Sequence, residues 1–154
     1  MPKRAKVGDV IEIKTAKGLA YAQYTHKVPR WGPLIRVLPG FHATRPESFA
    51  STVSDRTLFV IFFPLQQALN LGIFDVVANA KVPDFAAQFP LFRAAGHVDR
   101  EGKVHFWWLW DGVSETRVDT LSKEQRKLPI RAAWNDTLLV ERIEEQWTPE
   151  TDNR

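Results

Sequence analysis

Four histidines, His26, His42, His97 and His105, carry the widest chemical range in a chain of 154 residues that has no cysteine. Two imidazoles at i and i+4 of a helix would present a zinc-binding face, but no two of the four have that spacing. Lack of cysteine excludes disulfides, thiolate zinc sites and cysteine nucleophiles together. The glycines fall mostly at turns, in neither of the patterns whose backbone amides cradle phosphate, and no GxSxG elbow is present. Acidic neighbours such as Glu144-Glu145 lie on a polar helix face, which suits solvation better than paired acid–base work. No metal, cofactor or catalytic set is therefore expected. An enzymatic or small-ligand site would have to be assembled by folding, around His26, His42 and Arg45.

Binding surfaces are better represented. The segment Phe106-Trp107-Trp108-Leu109-Trp110-Asp111-Gly112 is the densest aromatic stretch. As a strand it puts Phe106, Trp108 and Trp110 on one face and His105, Trp107 and Leu109 on the other. Either both faces are core, or one is an aromatic contact surface. Trp31, Arg36, Arg45, Trp108, Trp110 and Asp111 are the candidate protein contacts, chosen as the aromatic and arginine types that anchor interfaces, with the turn acid beside them. A second candidate surface interleaves cations with rings: Lys14, Lys17, Tyr21, Tyr24, Lys27 and Arg30, extending to Trp31, Arg36 and Phe41, would suit a single-stranded nucleic acid.

Charge is unevenly distributed. Residues 1–45 hold nine Lys/Arg against Asp9 and Glu12, a balance of +7, whereas residues 135–154 hold six Asp/Glu against Arg142 and Arg154, a balance of −4. The basic part either meets an anionic partner or is neutralised by the acidic end within the fold.

The elements that must position these residues read as α+β. Strands are expected at 9–14, 19–25 and 34–38, the first two joined through Ala16-Lys17-Gly18. The apolar run 57–63 reads as a buried central strand, followed by a helix over 65–71 stopped by Gly72 and a strand over 73–78. One helical turn is expected near 84–88, then strands at 91–98, 103–110 and 115–119, with an irregularity at Gly96. Ser122 and Gln125 form a capping-box pattern. Asn135 or Asp136 caps a last helix, on which Leu139, Ile143 and Trp147 recur; a strand through 138–140 competes. The expected architecture is a single domain over 1–154, a strongly curled and mostly antiparallel sheet with SH3-like N-terminal strands and a few short helices. Residues 1–6 and 148–154 are expected to fray. The longest apolar run has six residues and no secretory signal is visible, so a cytoplasmic protein without membrane association is expected. Nothing in the pattern selects an oligomeric state.

The opening Val7-Gly8-Asp9-Val10-Ile11-Glu12-Ile13, followed by Gly18-Leu19-Ala20-Tyr21-Ala22-Gln23, resembles the start of the immunity protein 26 family, and the strand–helix–strand outline of 57–80 is compatible with it. The resemblance implies a small bacterial protein that neutralises a cognate toxin by stoichiometric occlusion, without catalytic residues. Together these readings rank a non-catalytic protein-binding module first, a nucleic-acid binder second and an enzyme or small-ligand protein third.

Overall fold

Alternation along β1 (Asp9–Thr15) sends Ile11 and Ile13 to one face and should leave Glu12 in water on the other; instead all five residues from Asp9 to Ile13 are buried. The sheet to which β1 belongs is covered on both faces at this point. In the computed structural model, which describes residues 4–152, the chain divides into two compact units. One is Met1–Gln88 with Ala133–Trp147, the other Phe89–Ala132 with Thr148–Arg154.

The first unit is built on five antiparallel strands in the order β4-β3-β2-β1-β5. Strands β1 and β2 (Gly18–Val28) form the expected hairpin, and β3 (Gly32–Val37) follows through a second tight turn. The order is a meander with β4 (Phe59–Phe62) and β5 (Asp75–Asn79) as its two edges; the antiparallel α+β arrangement expected is found, whereas strong curling of the sheet is not. The apolar run at 57–63 is buried as expected, but β4 is an edge strand and not a central one. Its outer side is covered by the chain itself: Phe62 bridges to Ala133, and the Phe62 carbonyl accepts from Trp134 N.

Helix α1 (Ala50–Ser54) precedes β4, and α2 (Leu65–Asn70) carries the chain from one edge of the sheet to the other. Leu65, Ala68 and Leu69 anchor α2, and Gly72 ends it at φ 70°, a conformation that costs glycine little. A single turn, α3 (Asp84–Ala87), lies where one was expected. The last helix, α4 (Asp136–Glu144), is capped by Asn135, whose side chain accepts from Leu138 N at 2.8 Å. Leu139, Ile143 and Trp147 are all buried, which decides the ambiguity at 138–140 for helix. Phe59, Trp134 and Trp147 close the core with ring centroids 5.1–5.5 Å apart.

The second unit is a three-stranded antiparallel sheet, β6 (Phe92–Val98), β7 (Val104–Trp110) and β8 (Glu115–Val118). The expected irregularity at Gly96 is a register shift, and it has a steric cause: the Phe106 ring occupies the place a β-carbon at Gly96 would take. Ser122 and Gln125 make the reciprocal capping-box bonds, at 3.1 and 2.8 Å, before a 3-10 turn at Gln125–Lys127. A second 3-10 turn, Pro149–Thr151, orders part of the segment expected to fray. Residues 1–3 and 153–154 of those end segments lie outside the described residues. Among the described residues no helix is long and apolar enough to cross a membrane.

Candidate functional site

The β2–β3 turn concentrates cations that enter no ion pair among the described residues. It runs Val28-Pro29-Arg30-Trp31, closed by Trp31 N donating to the Val28 carbonyl at 3.2 Å. Proline in the second position and a positive φ in the third are the pattern of a type II turn, which favours glycine or asparagine third. Here the third residue is Arg30, at φ 72°. Beside the turn lies a groove of about 920 Å³, lined by Arg4, Tyr24, Lys27, Arg30 and Gln66 and by the chain at 28–29 and 32–33.

Lys27 and Arg30 reach the groove from β2 and its turn. Arg4 arrives by a different route. The Gln66 side chain on α2 accepts from Ala5 N at 2.7 Å and holds the N-terminal stretch against the groove. Among the described residues no acidic residue lines this groove, and Arg4, Lys27 and Arg30 enter no ion pair. Three cations over a partly apolar floor set up a positive potential that selects an anionic occupant. An arginine in the left-handed region costs about 1 kcal/mol. Arg30→Gly is therefore expected to leave thermal stability unchanged or to raise it by up to about 1 kcal/mol, while weakening binding in the groove. Thermal denaturation of the variant reads the first effect directly.

Of the other basic residues of the N-terminal stretch, Lys17, Arg36 and Arg45 bond to other groups of the fold. Arg36, expected as a partner contact, is fully buried and caps the end of α1. It donates to Gln23 Oε1 at 3.1 Å, to the Asp55 carbonyl and Thr57 Oγ1 at 3.2 Å, and to the Val53 carbonyl. Burial pulls its guanidinium below the usual arginine range. Lys17 donates to the Glu144 carbonyl at 2.9 Å while the Glu144 carboxylate accepts from Ala16 N at 2.7 Å, so the basic hairpin meets the acidic helix α4. Lys14 is exposed and makes no ion pair among the described residues. Tyr21 and Tyr24 are both buried, which removes them as exposed stacking platforms.

Arg45 forms a bidentate pair with Glu12, Nε at 2.7 Å and Nη2 at 3.0 Å, above a carboxylate that is only 4% exposed. Tyr21 Oη donates to the same carboxylate at 3.0 Å. Burial and the Glu12 charge push the Tyr21 hydroxyl up to about 12, while the Arg45 hydrogen bonds hold Glu12 below the usual carboxylate range against its burial. A carboxyl lowered in the folded state stabilises above its unfolded pKa and loses that contribution as the pH falls through the folded value. Acid unfolding of the wild type should therefore include a contribution near and below about pH 4 that Glu12→Gln lacks, measurable by denaturant titration across that range.

His42 lies edge-on to Tyr21 at 5.3 Å, close to this pair, and its backbone bonds to Leu19. His26 lies between Thr25 Oγ1 and the Ala87 carbonyl, seven residues further along β2, or about 23 Å of strand. The site imagined around His26, His42 and Arg45 is thus split. Among the described residues no three His, Asp or Glu side chains converge as metal ligands.

In the second unit Trp107 and Trp110 are buried. Trp110 packs on Phe89 and Phe92 at 5.5–5.6 Å, so it belongs to the core and is not offered to a partner. Trp107 lies under the buried Arg93 at 5.1 Å. Trp108 is half-buried, edge-on to Phe106, which Arg117 covers at 4.0 Å. Asp111 accepts from Val113 N and Ser114 N, at 2.9 and 2.8 Å, and is a turn residue. Trp31 is half-buried, with its ring 5.1 Å from Phe62. Of the sequence candidates, then, the groove gathers Tyr24, Lys27 and Arg30; Arg4 and Gln66 join them without a local signal, because one hydrogen bond between distant segments brings them there. Compared with protein-family models, curated proteins and solved structures, the chain matches none.

Proposed function

We propose that this chain is a non-catalytic binding module that holds an acidic segment of a partner protein in the groove beside the β2–β3 turn. The observation that carries the reading is the set of three cations, Arg4, Lys27 and Arg30, on one groove that, among the described residues, has no acid in its lining and no ion pair to neutralise them. The strained backbone at Arg30 supports it, since strain of this kind clusters at binding sites. The resemblance of residues 7–25 to the immunity protein 26 family supplies a partner class, a toxin neutralised stoichiometrically in the bacterial cytoplasm.

Nucleic acid is the second reading, because the same cations suit phosphates. Single-strand binding also draws on exposed rings, and the groove's one ring, Tyr24, is buried. That difference favours a protein. The test is affinity capture from cells of the source organism with the wild type and with a Lys27→Glu/Arg30→Glu chain side by side. A protein retained by the first and lost by the second is the expected result. Capture of nucleic acid alone, or of the same proteins by both chains, would overturn the reading.

A further inference from the structure

Three ligands do not converge among the described residues, but two imidazoles do. His97 on β6 and His105 on β7 stand eight residues apart, a spacing that carries no local ligand signature. The ladder between the strands brings them together. Its flanking pairs, Ala95 with Trp107 and Val98 with Val104, frame a register in which His97 and His105 lie opposite each other, skewed locally by the irregularity at Gly96. The ring centres are 5.4 Å apart, with the planes tilted by 43°. A tetrahedral zinc ion bound to one nitrogen of each ring, at about 2.0–2.1 Å, would hold the ring centres about 5 Å apart. The two rings are therefore spaced to share one ion.

The second observation is the group behind His105. Its Nε2 donates to Asp99 Oδ2 at 2.8 Å, because an ionised carboxylate can only accept. The His105 Nδ1 thus keeps the lone pair that binds a metal. Asp99 is itself fixed by the turn between the strands, where its other oxygen accepts from Glu101 N at 3.0 Å and Lys103 N at 2.9 Å. A carboxylate behind an imidazole sets the tautomer and raises the basicity of a metal-binding histidine. His97 makes no hydrogen bond among the described residues, so both of its nitrogens are uncommitted. Both rings are exposed, which gives an ion a path in and leaves its other positions to water. We propose that His97 and His105 bind a divalent transition-metal ion of the zinc type, with Asp99 as a positioning residue for His105. Imidazole selects such an ion over magnesium or calcium, which take oxygen ligands. The bound ion ties β6 to β7 beside their turn.

Calorimetric titration of the untagged full chain with Zn²⁺, in the presence of excess Mg²⁺, tests this. The wild type should bind one Zn²⁺ per chain. His97→Ala and His105→Ala, both at exposed positions, should keep the circular dichroism and thermal transition of the metal-free wild type and each weaken binding by at least about tenfold. Asp99→Asn retains a carbonyl oxygen for the turn and should weaken binding about tenfold, the effect of losing the carboxylate behind a ligand. Zn²⁺ should raise the thermal transition of the wild type more than that of either histidine variant, since an ion that binds the folded chain stabilises it. A wild type that binds no Zn²⁺ overturns the proposal. So do histidine variants that bind it as the wild type does, which is what adventitious binding at His26 or His42 would give. Binding unchanged in Asp99→Asn overturns the part assigned to Asp99. None of these three residues lines the cationic groove, so this result and the capture experiment fail independently.

Discussion

Arg36→Ala is expected to destabilise the first unit by about 3 kcal/mol, from buried neutral acceptors left without a donor and from the cavity of the lost side chain. Arg36 is fully buried, and among the described residues no carboxylate forms an ion pair with it. Its charge is balanced by dipoles: the Val53 and Asp55 carbonyls at the end of α1, Thr57 Oγ1 and Gln23 Oε1. The C-terminal end of a helix favours a cation, and the acceptors engage all three nitrogens of one planar fork, Gln23 on Nε, Asp55 and Thr57 on Nη1 and Val53 on Nη2. Truncation leaves those acceptors without a donor inside the fold and opens a cavity the size of the side chain. Lysine does not rescue the site, because a single ammonium on a flexible stem cannot reproduce the fork's geometry. Urea denaturation compared across wild type, Arg36→Ala and Arg36→Lys reads the effect. An Arg36→Ala loss under about 1 kcal/mol would mean that the guanidinium is not the organising group between β3 and α1.

The second large effect concerns binding. Lys27→Glu/Arg30→Glu is expected to weaken partner binding by about 100-fold, or about 3 kcal/mol, since each reversal replaces an attraction by a repulsion at the same groove. Both residues are exposed and neither has a structural partner in an ion pair among the described residues, so the fold should tolerate the change. Wild-type affinity should fall as ionic strength rises, and the variant's residual affinity should depend on salt less, because the screened charges are the ones removed. An equal salt dependence in the two chains would place the contact elsewhere.

How much of this was legible before folding depends on the range of the interaction. Strands β1, β2 and β3 follow from local alternation, and α4 follows from the Asn135 cap with Leu139, Ile143 and Trp147 at helical spacing; each signal lies within a few residues of its effect. The fates of the charged residues are not local. Glu12 has the alternation of a solvent-facing residue, and it is buried because Arg45, 33 residues away, and Tyr21 complete its shell. Arg36 has the sequence context of a surface strand, yet two of its acceptors are backbone carbonyls, which have no sequence signature at all. Strand β4 reads as central because it is apolar; it lies at an edge, and residues 133–134, some 70 positions on, bury it. The groove was half legible. Lys27 and Arg30 stand out as cations beside a proline turn, whereas Arg4 is placed by a bond between Ala5 and Gln66 that no local pattern announces.

Calorimetric titration of the captured partner protein into the wild type and the Lys27→Glu/Arg30→Glu chain decides whether the groove cations make the partner contact. Saturable binding, one partner per binding chain, is expected for the wild type and a loss of about 100-fold for the variant. Equal affinity in the two chains would contradict that contact.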